Sequence, residues 1–163
     1  MKLLLLRHAI AVPSGTPGIP DDERRLTPEG RERFEVAARG LARIVARPDA
    51  LLSSPLPRAL ETAEIAARAW GRVRVQEEPA LAGGRFADWD RRLASFGDAE
   101  LVAFVGHEPT LSGFLARLLG SPRSERLAFK KGGAALVDVP GGKDTGAVLL
   151  GFWAPRVLRE LAG

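Results

Sequence analysis

Short apolar runs alternate along the chain with longer stretches in which hydrophobic residues recur every three or four positions. The runs lie at residues 2–6, 50–52, 73–75, 101–105, 135–139 and 147–150. Runs such as Leu3-Leu4-Leu5-Leu6 and Val102-Ala103-Phe104-Val105 show no polar alternation, as expected of strands buried on both faces. Helical spacing lies between them. Phe34, Ala37, Leu41 and Ile44 form one stripe on a helix that opens with Thr27 as N-cap and Pro28 in its first turn, and Pro48 lies just beyond its end. A second helix is predicted over residues 57–70. A third covers residues 109–119, where Leu111, Phe114, Leu115 and Leu118 share a face and Gly120 and Pro122 stop the helix.

Strand and helix in alternation predict an α/β fold of three layers, a mainly parallel sheet with helices on both faces. Ligands of such sheets bind beyond the carboxyl ends of the strands. Glycine-rich turns at residues 130–133 and 140–146 flank the last two strands, which are expected to form a C-terminal antiparallel hairpin. No repeat or linker divides the chain, so residues 1–163 are expected to form one domain. Residues 11–25 and 79–90 read as the longest irregular pieces, and loops of that length in a compact domain are often functional.

Composition narrows the picture further. With 45% hydrophobic and 27% charged residues the chain is no disordered polymer, and the lack of cysteine removes disulfides, thiol catalysis and thiolate metal sites. The net charge of +4 comes from basic residues scattered among acidic ones, which predicts a solvated mixed-charge surface and no nucleic-acid partner. The apolar run at residues 3–6 stops at Arg7-His8, too early for a signal peptide, and no stretch approaches the roughly 20 apolar residues of a membrane span. A cytoplasmic protein without a membrane partner is expected, acting as a monomer.

The chain holds only two histidines, and both occupy the same kind of place: His8 directly follows the first predicted strand and His107 follows the strand at 101–105. In a parallel sheet both emerge on one edge. Arg7 adjoins His8, and Ser53-Ser54-Pro55-Leu56-Pro57-Arg58 carries another strand end into the first turn of a helix on that edge. Free N–H groups at helix starts favour anions, and guanidinium forks match phosphoryl oxygens bidentately while staying charged. The constellation therefore points to a phosphoryl group. A metal centre on the two histidines fits poorly, because no carboxylate stands at helical ligand spacing from either and the arginines would repel a cation.

Leu6-Arg7-His8-Ala9 resembles the Arg-His-Gly signature of the histidine phosphatase superfamily. Ser54-Pro55-Leu56-Pro57-Arg58-Ala59-Leu60-Glu61-Thr62-Ala63 is similar to its second-arginine motif, and Val105-Gly106-His107-Glu108-Pro109-Thr110-Leu111 to its second-histidine motif. Arg24-Arg25-Leu26-Thr27-Pro28-Glu29-Gly30 resembles the segment that opens the first long helix in the short SixA-type members. The resemblance implies a phosphoglycerate mutase-like fold and a phosphatase in which His8 attacks phosphorus, Arg7 and Arg58 hold the equatorial oxygens, and His107 stabilises the transferring group. It implies no metal or other cofactor. Arg24 stands as a further phosphate or substrate contact, or as the salt-bridge partner of the acidic residues beside it.

The match departs at Ala9, where glycine is usual, at Ile10, where an acid is common, and at Ala80, where many members carry a glutamate proton donor. Glu77 and Glu78 are the nearby candidates for that donor, or else two solvated charges at a strand end. The expected substrate is phosphohistidine, on a histidine-phosphotransfer protein or in another phosphoramidate or phosphomonoester. The alternatives are a phosphomonoesterase or mutase-like enzyme on a small phosphorylated metabolite, and a phosphate-binding module without turnover.

Overall fold

The computed structural model describes residues 1–140 and 146–163. Its strands are β1 (Lys2–Arg7), β2 (Ala50–Ser53), β3 (Val75–Glu77), β4 (Leu101–Gly106), β5 (Ala134–Asp138) and β6 (Val148–Trp153). They form one sheet in the order β3-β2-β4-β1-β5-β6. The first four are mutually parallel, β5 runs antiparallel to β1, and β6 runs antiparallel to β5. Helices α1 (Pro28–Ile44), α2 (Pro57–Ala69) and α5 (Pro155–Glu160) cover one face, and α3 (Phe86–Ala94) and α4 (Thr110–Leu118) the other. No helix among the described residues is long and apolar enough to cross a membrane.

The uninterrupted apolar strands serve both layers because successive side chains point to opposite faces. Leu4, Leu6, Leu51, Ala103 and Val105 pack with Phe34, Leu41 and Ile65, whereas Leu3, Leu5, Leu52, Val102 and Phe104 pack with Trp89, Phe114 and Leu115. Thr27 caps α1 as expected, its hydroxyl accepting from the Gly30 N–H at 2.9 Å. Two glycines permit close approaches along α1. A Cβ at Gly30 would strike the carbonyl oxygen of Ile10, and one at Gly40 would strike that of Leu158 in α5.

Three expectations need correction or completion, and one helix is new. The third strand begins at Val75 rather than Val73: Gly71 and Arg72 take positive φ, and the Val73 N–H turns back to the Ala67 carbonyl, so Val73 closes α2 instead of joining the sheet. Residues 79–90 are not irregular. Pro79–Ala82 makes a 3-10 turn and Phe86 opens α3, whose Trp89 and Leu93 are buried and whose Trp89 indole donates to the Ala80 carbonyl at 2.9 Å. Helix α5 follows the hairpin and had no expectation attached. The turn expected at residues 140–146 lies mostly outside the described residues.

The register fixes one working edge. Arg7 pairs with Gly106, and Ser53 pairs with both Val105 and Glu77, so the chain leaves β1, β2, β3 and β4 at the same level. After β1 the chain passes to the α1 face and after β4 to the α4 face, which opens a crevice between adjacent strands at their carboxyl ends.

Candidate active site

His8 and His107 stand at that crevice, their ring centroids 5.2 Å apart. His8 is buried, with its Nδ1 2.7 Å from the carbonyl oxygen of Ala9. A carbonyl only accepts, so Nδ1 carries the proton and Nε2 keeps its lone pair. Burial pushes the His8 pKa down to about 3, with His107, Arg58 and Arg7 adding to the depression against the opposing bond to Ala9. The imidazole is therefore neutral at physiological pH. The turn that carries it is pinned on two sides: the Ala9 N–H donates to Thr62 Oγ1 at 3.0 Å, and the Gly132 N–H donates to the His8 carbonyl at 3.0 Å.

Thr62 in turn donates to the Arg58 carbonyl at 2.6 Å, so one hydroxyl links the His8 turn to the first turn of α2. Arg58 is buried there, its Nη1 donating to the Asp21 backbone carbonyl at 2.8 Å and its Nη2 lying 3.6 Å from the Asp21 carboxylate. Arg7 donates through Nη1 to the carbonyl of Phe129. Both guanidiniums are held below their ordinary pKa, chiefly by burial, yet arginine starts so high that the charge persists. The Nε of each is buried and lacks a hydrogen-bond partner.

His107 Nε2 lies 2.8 Å from Ser54 Oγ, the residue immediately after β2. That hydroxyl oxygen also accepts from the Leu56 N–H at 3.3 Å, and its second lone pair and its proton suit either tautomer of His107. Nδ1 is buried without a partner. Burial first, then Arg58 and Arg24, push the His107 pKa down to about 4. Next to it, Glu108 accepts from Ser112 Oγ at 2.7 Å and from the Phe129 N–H, and its charge raises the pKa of Arg7 against the effect of burial.

The structure brings Arg7, His8, Arg58 and His107 together at one edge. Arg24 joins their periphery: its Nε donates to Asp21 at 2.9 Å and its Nη1 to the Val12 carbonyl at 2.9 Å, and its charge is felt by both Arg58 and His107. The salt bridge beside it exists, and the cation still lies near the site. Glu77 is exposed, and Glu78 is turned elsewhere, capping the Pro79–Ala82 turn through the Ala80 N–H and pairing with Arg92 at 3.1 Å. Sequence reasoning attached no role to Ser54, Thr62, Asp21 or Glu108. Thr62 carried a signal, since it stands one helical turn after Arg58 on the same face.

Residues 3–100 match the sequence model of the histidine phosphatase superfamily, branch 1. The chain belongs to that superfamily, and its class of activity is that of a phosphatase. Its structural neighbours include proteins of SixA type. A protein of Agrobacterium tumefaciens assigned as phosphohistidine phosphatase SixA shares 27% identity at a TM-score of 0.80, covering 94% of this chain and 97% of its own. A second, from Nakamurella multipartitia, shares 26% at 0.76, covering 94% and 95%. A protein histidine phosphatase SixA in complex with tungstate superposes at a TM-score of 0.82 with 21% identity, over 97% of this chain and 99% of its own, a likeness of fold. In sequence, an uncharacterized protein of Picosynechococcus sp. (strain PCC 7002) is 34% identical over 137 residues, 82% of each chain.

Proposed function

We propose that this chain is a phosphohistidine phosphatase that works through a phosphohistidine on His8 and needs no metal ion. The observation that carries the reading is the Nδ1 bond to the Ala9 carbonyl, which leaves a neutral imidazole with its Nε2 lone pair free beside the buried Arg58, the half-buried Arg7 and His107. In the first step Nε2 forms a bond to phosphorus as the bond to the substrate's leaving nitrogen breaks, and that nitrogen takes its proton from solvent. Arg7 and Arg58 neutralise the equatorial oxygens, and His107 stabilises the transferring group. Water then adds to phosphorus as the P–Nε2 bond breaks, releasing inorganic phosphate and returning His8 to its starting state.

The substrate assignment rests on the missing acid. Ala80 stands where many relatives carry a glutamate, and Glu78 is engaged with Arg92 and the Ala80 N–H. An alkoxide leaves poorly without a proton donor, whereas the nitrogen of a phosphoramidate is protonated readily from water.

The test is a brief incubation of the protein with labelled phosphohistidine, followed by denaturation. Label retained on the protein in alkali, lost in acid and absent from His8→Ala supports the reading, and His8→Ala should show no measurable turnover. Normal turnover in His8→Ala, or label that resists acid, overturns it. Turnover should also persist in excess chelator, and loss that only a divalent cation restores would reject metal independence.

A further inference from the structure

A groove of about 330 Å³ opens beside the site, on the other side of the turn that holds His8. Ala9 and Ile10 form one wall, α1 another, and the Lys130–Gly132 turn and the start of α5 complete it. It opens at the working edge, because β6 runs parallel to β1 and delivers α5 to the same level as His8. The wall is shared with the site in a direct sense: the Gly132 N–H bonds the carbonyls of Arg7 and His8, and the Phe129 carbonyl that precedes Lys130 accepts from Arg7.

The lining has a marked charge asymmetry. Arg33, Lys130, Lys131, Arg156 and Arg159 border the groove, and among the described residues no carboxylate does. Arg33 pairs with Glu29 and Arg156 with Glu160, both between exposed side chains where water screens the pair. Lys130, Lys131 and Arg159 make no ion pair among the described residues. Between the cations the floor is apolar, formed by the buried Phe34 and Ala37 together with Pro155. This arrangement, apolar in the middle and charged at the rim, is that of a protein-recognition surface.

We infer that this groove binds an acidic stretch of polypeptide next to the phosphohistidine of a protein substrate. The inference rests on the phosphohistidine reading above and adds to it the chemistry by which the substrate is chosen. A single small anion is a poor fit for five cations contributed by three separate segments, α1, the Lys130–Lys131 turn and α5. Several carboxylates spaced along a chain satisfy them at once, with an apolar side chain between them on the floor. Cations of this kind act mainly on encounter, so their effect falls as salt rises.

The experiment compares two short fluorescent peptides of identical length, one rich in glutamate around a single histidine and one with every glutamate replaced by glutamine. Binding to the full chain is followed by anisotropy at low salt, before any phosphorylation. The glutamate peptide should bind at least about tenfold more tightly than its counterpart, with the difference fading as salt is raised. Lys130→Gln/Lys131→Gln/Arg159→Gln should remove that preference, whereas Arg72→Gln/Arg74→Gln, at the opposite edge, should leave it within about twofold. Equal binding of the two peptides, or an equal loss in the Arg72/Arg74 variant, overturns the inference, since either outcome means that net charge alone acts. The same peptides carrying phosphohistidine then report on the reaction: if neither is hydrolysed while nitrophenyl phosphate is, the substrate reading falls and the groove is judged on the binding result. Nitrophenyl phosphate turnover should be unchanged in the groove variant.

Discussion

Two segments leave the working edge of the sheet and differ in what they bring to it. The segment after β1, residues 8–27, is knitted from charge: Ser14 and Arg24 hold the Asp21 carboxylate, Arg24 and Arg58 hold backbone carbonyls of Val12 and Asp21, and the Glu61 carboxylate takes the Leu26 N–H. The segment after β3, residues 78–85, brings no such charge to the histidines. Its one acid near the edge, Glu78, is spent on a cap and on Arg92, and Ala80 and Leu81 pack into the apolar layer of α3 and α4. The contrast separates two tasks that phosphoryl transfer combines. One side of the site is equipped to hold a phosphoryl group, and the other lacks the means to protonate a leaving group. On the proposed function, a site built this way selects substrates whose leaving atom needs no help.

The largest effect expected from that contrast is a steep dependence of rate on leaving-group pKa. A positioned general acid is worth roughly 10²–10⁴ in rate, so glycerol and sugar phosphates should lag behind phosphohistidine and nitrophenyl phosphate by factors in that range. Ala80→Glu should raise the slow substrates and leave the fast ones almost unchanged. A series of aryl and alkyl phosphates measured as kcat/KM provides the check, and a flat series would show that an acid acts after all.

The next effect lies on the other side of the comparison. Arg58→Ala removes a buried cation from the phosphoryl-holding segment and should lower kcat/KM by about 10²–10³ for fast and slow substrates alike. The uniformity is the informative part: a loss confined to alkyl phosphates would move Arg58 from oxygen-holding to leaving-group chemistry.

Much of this site could be read from the chain because it depends on the order of elements. Strands buried on both faces leave unbroken apolar runs, and the residue after such a run must emerge at a carboxyl edge, which is how His8, His107 and Arg58 declared themselves. What could not be read depends on contacts distant in sequence. Thr62 acquires its task from Ala9, 53 positions away, and Glu108 from Phe129, 21 positions away. Helix α3 was obscured by Gly83-Gly84 just before it, although Phe86, Trp89 and Leu93 have helical spacing; the buried Trp89 indole anchors it to Ala80 across that break. Val73 shows the converse, an apolar residue of strand type taken by the turn that ends α2.

A smaller effect concerns acid stability. His8 and His107 are neutral in the folded protein down to about 3 and about 4, whereas an unfolded histidine takes its proton near 6.5. Between those values the unfolded state binds more protons, so stability rises with pH; it is complete above 6.5 and is lost as pH falls towards 4 and then 3. Each histidine contributes a slope approaching about 1.4 kcal/mol per pH unit inside its window. Denaturant titrations of the wild type and His107→Ala from pH 7 to 4 should show a shallower fall in the variant, and parallel curves would mean that His107 is protonated in the fold. Turnover should not decline between pH 7 and 5 through loss of the His8 lone pair.

The smallest effect is expected on the segment after β3, and it decides whether that segment is as inert as its contacts imply. Glu78 accepts from the Ala80 N–H at 3.1 Å and lies 3.1 Å from Arg92 Nε as an ion pair out of line for a hydrogen bond, so its carboxylate serves the fold of residues 78–92. Glu78→Gln keeps an oxygen for the cap and gives up the charge. Stability should fall by about 0.5–1 kcal/mol, the ordinary worth of a partly exposed pair with a weakened cap, while kcat on every substrate in the leaving-group series stays within about twofold. Glu77→Gln, at an exposed position, should change neither quantity. If either substitution steepened the dependence on leaving-group pKa while leaving nitrophenyl phosphate untouched, that glutamate would be the proton donor, reaching the site by a movement of residues 77–82. The division between a phosphoryl-holding segment and an inert one would then fail at its weaker half, and with it the reason for preferring a phosphoramidate.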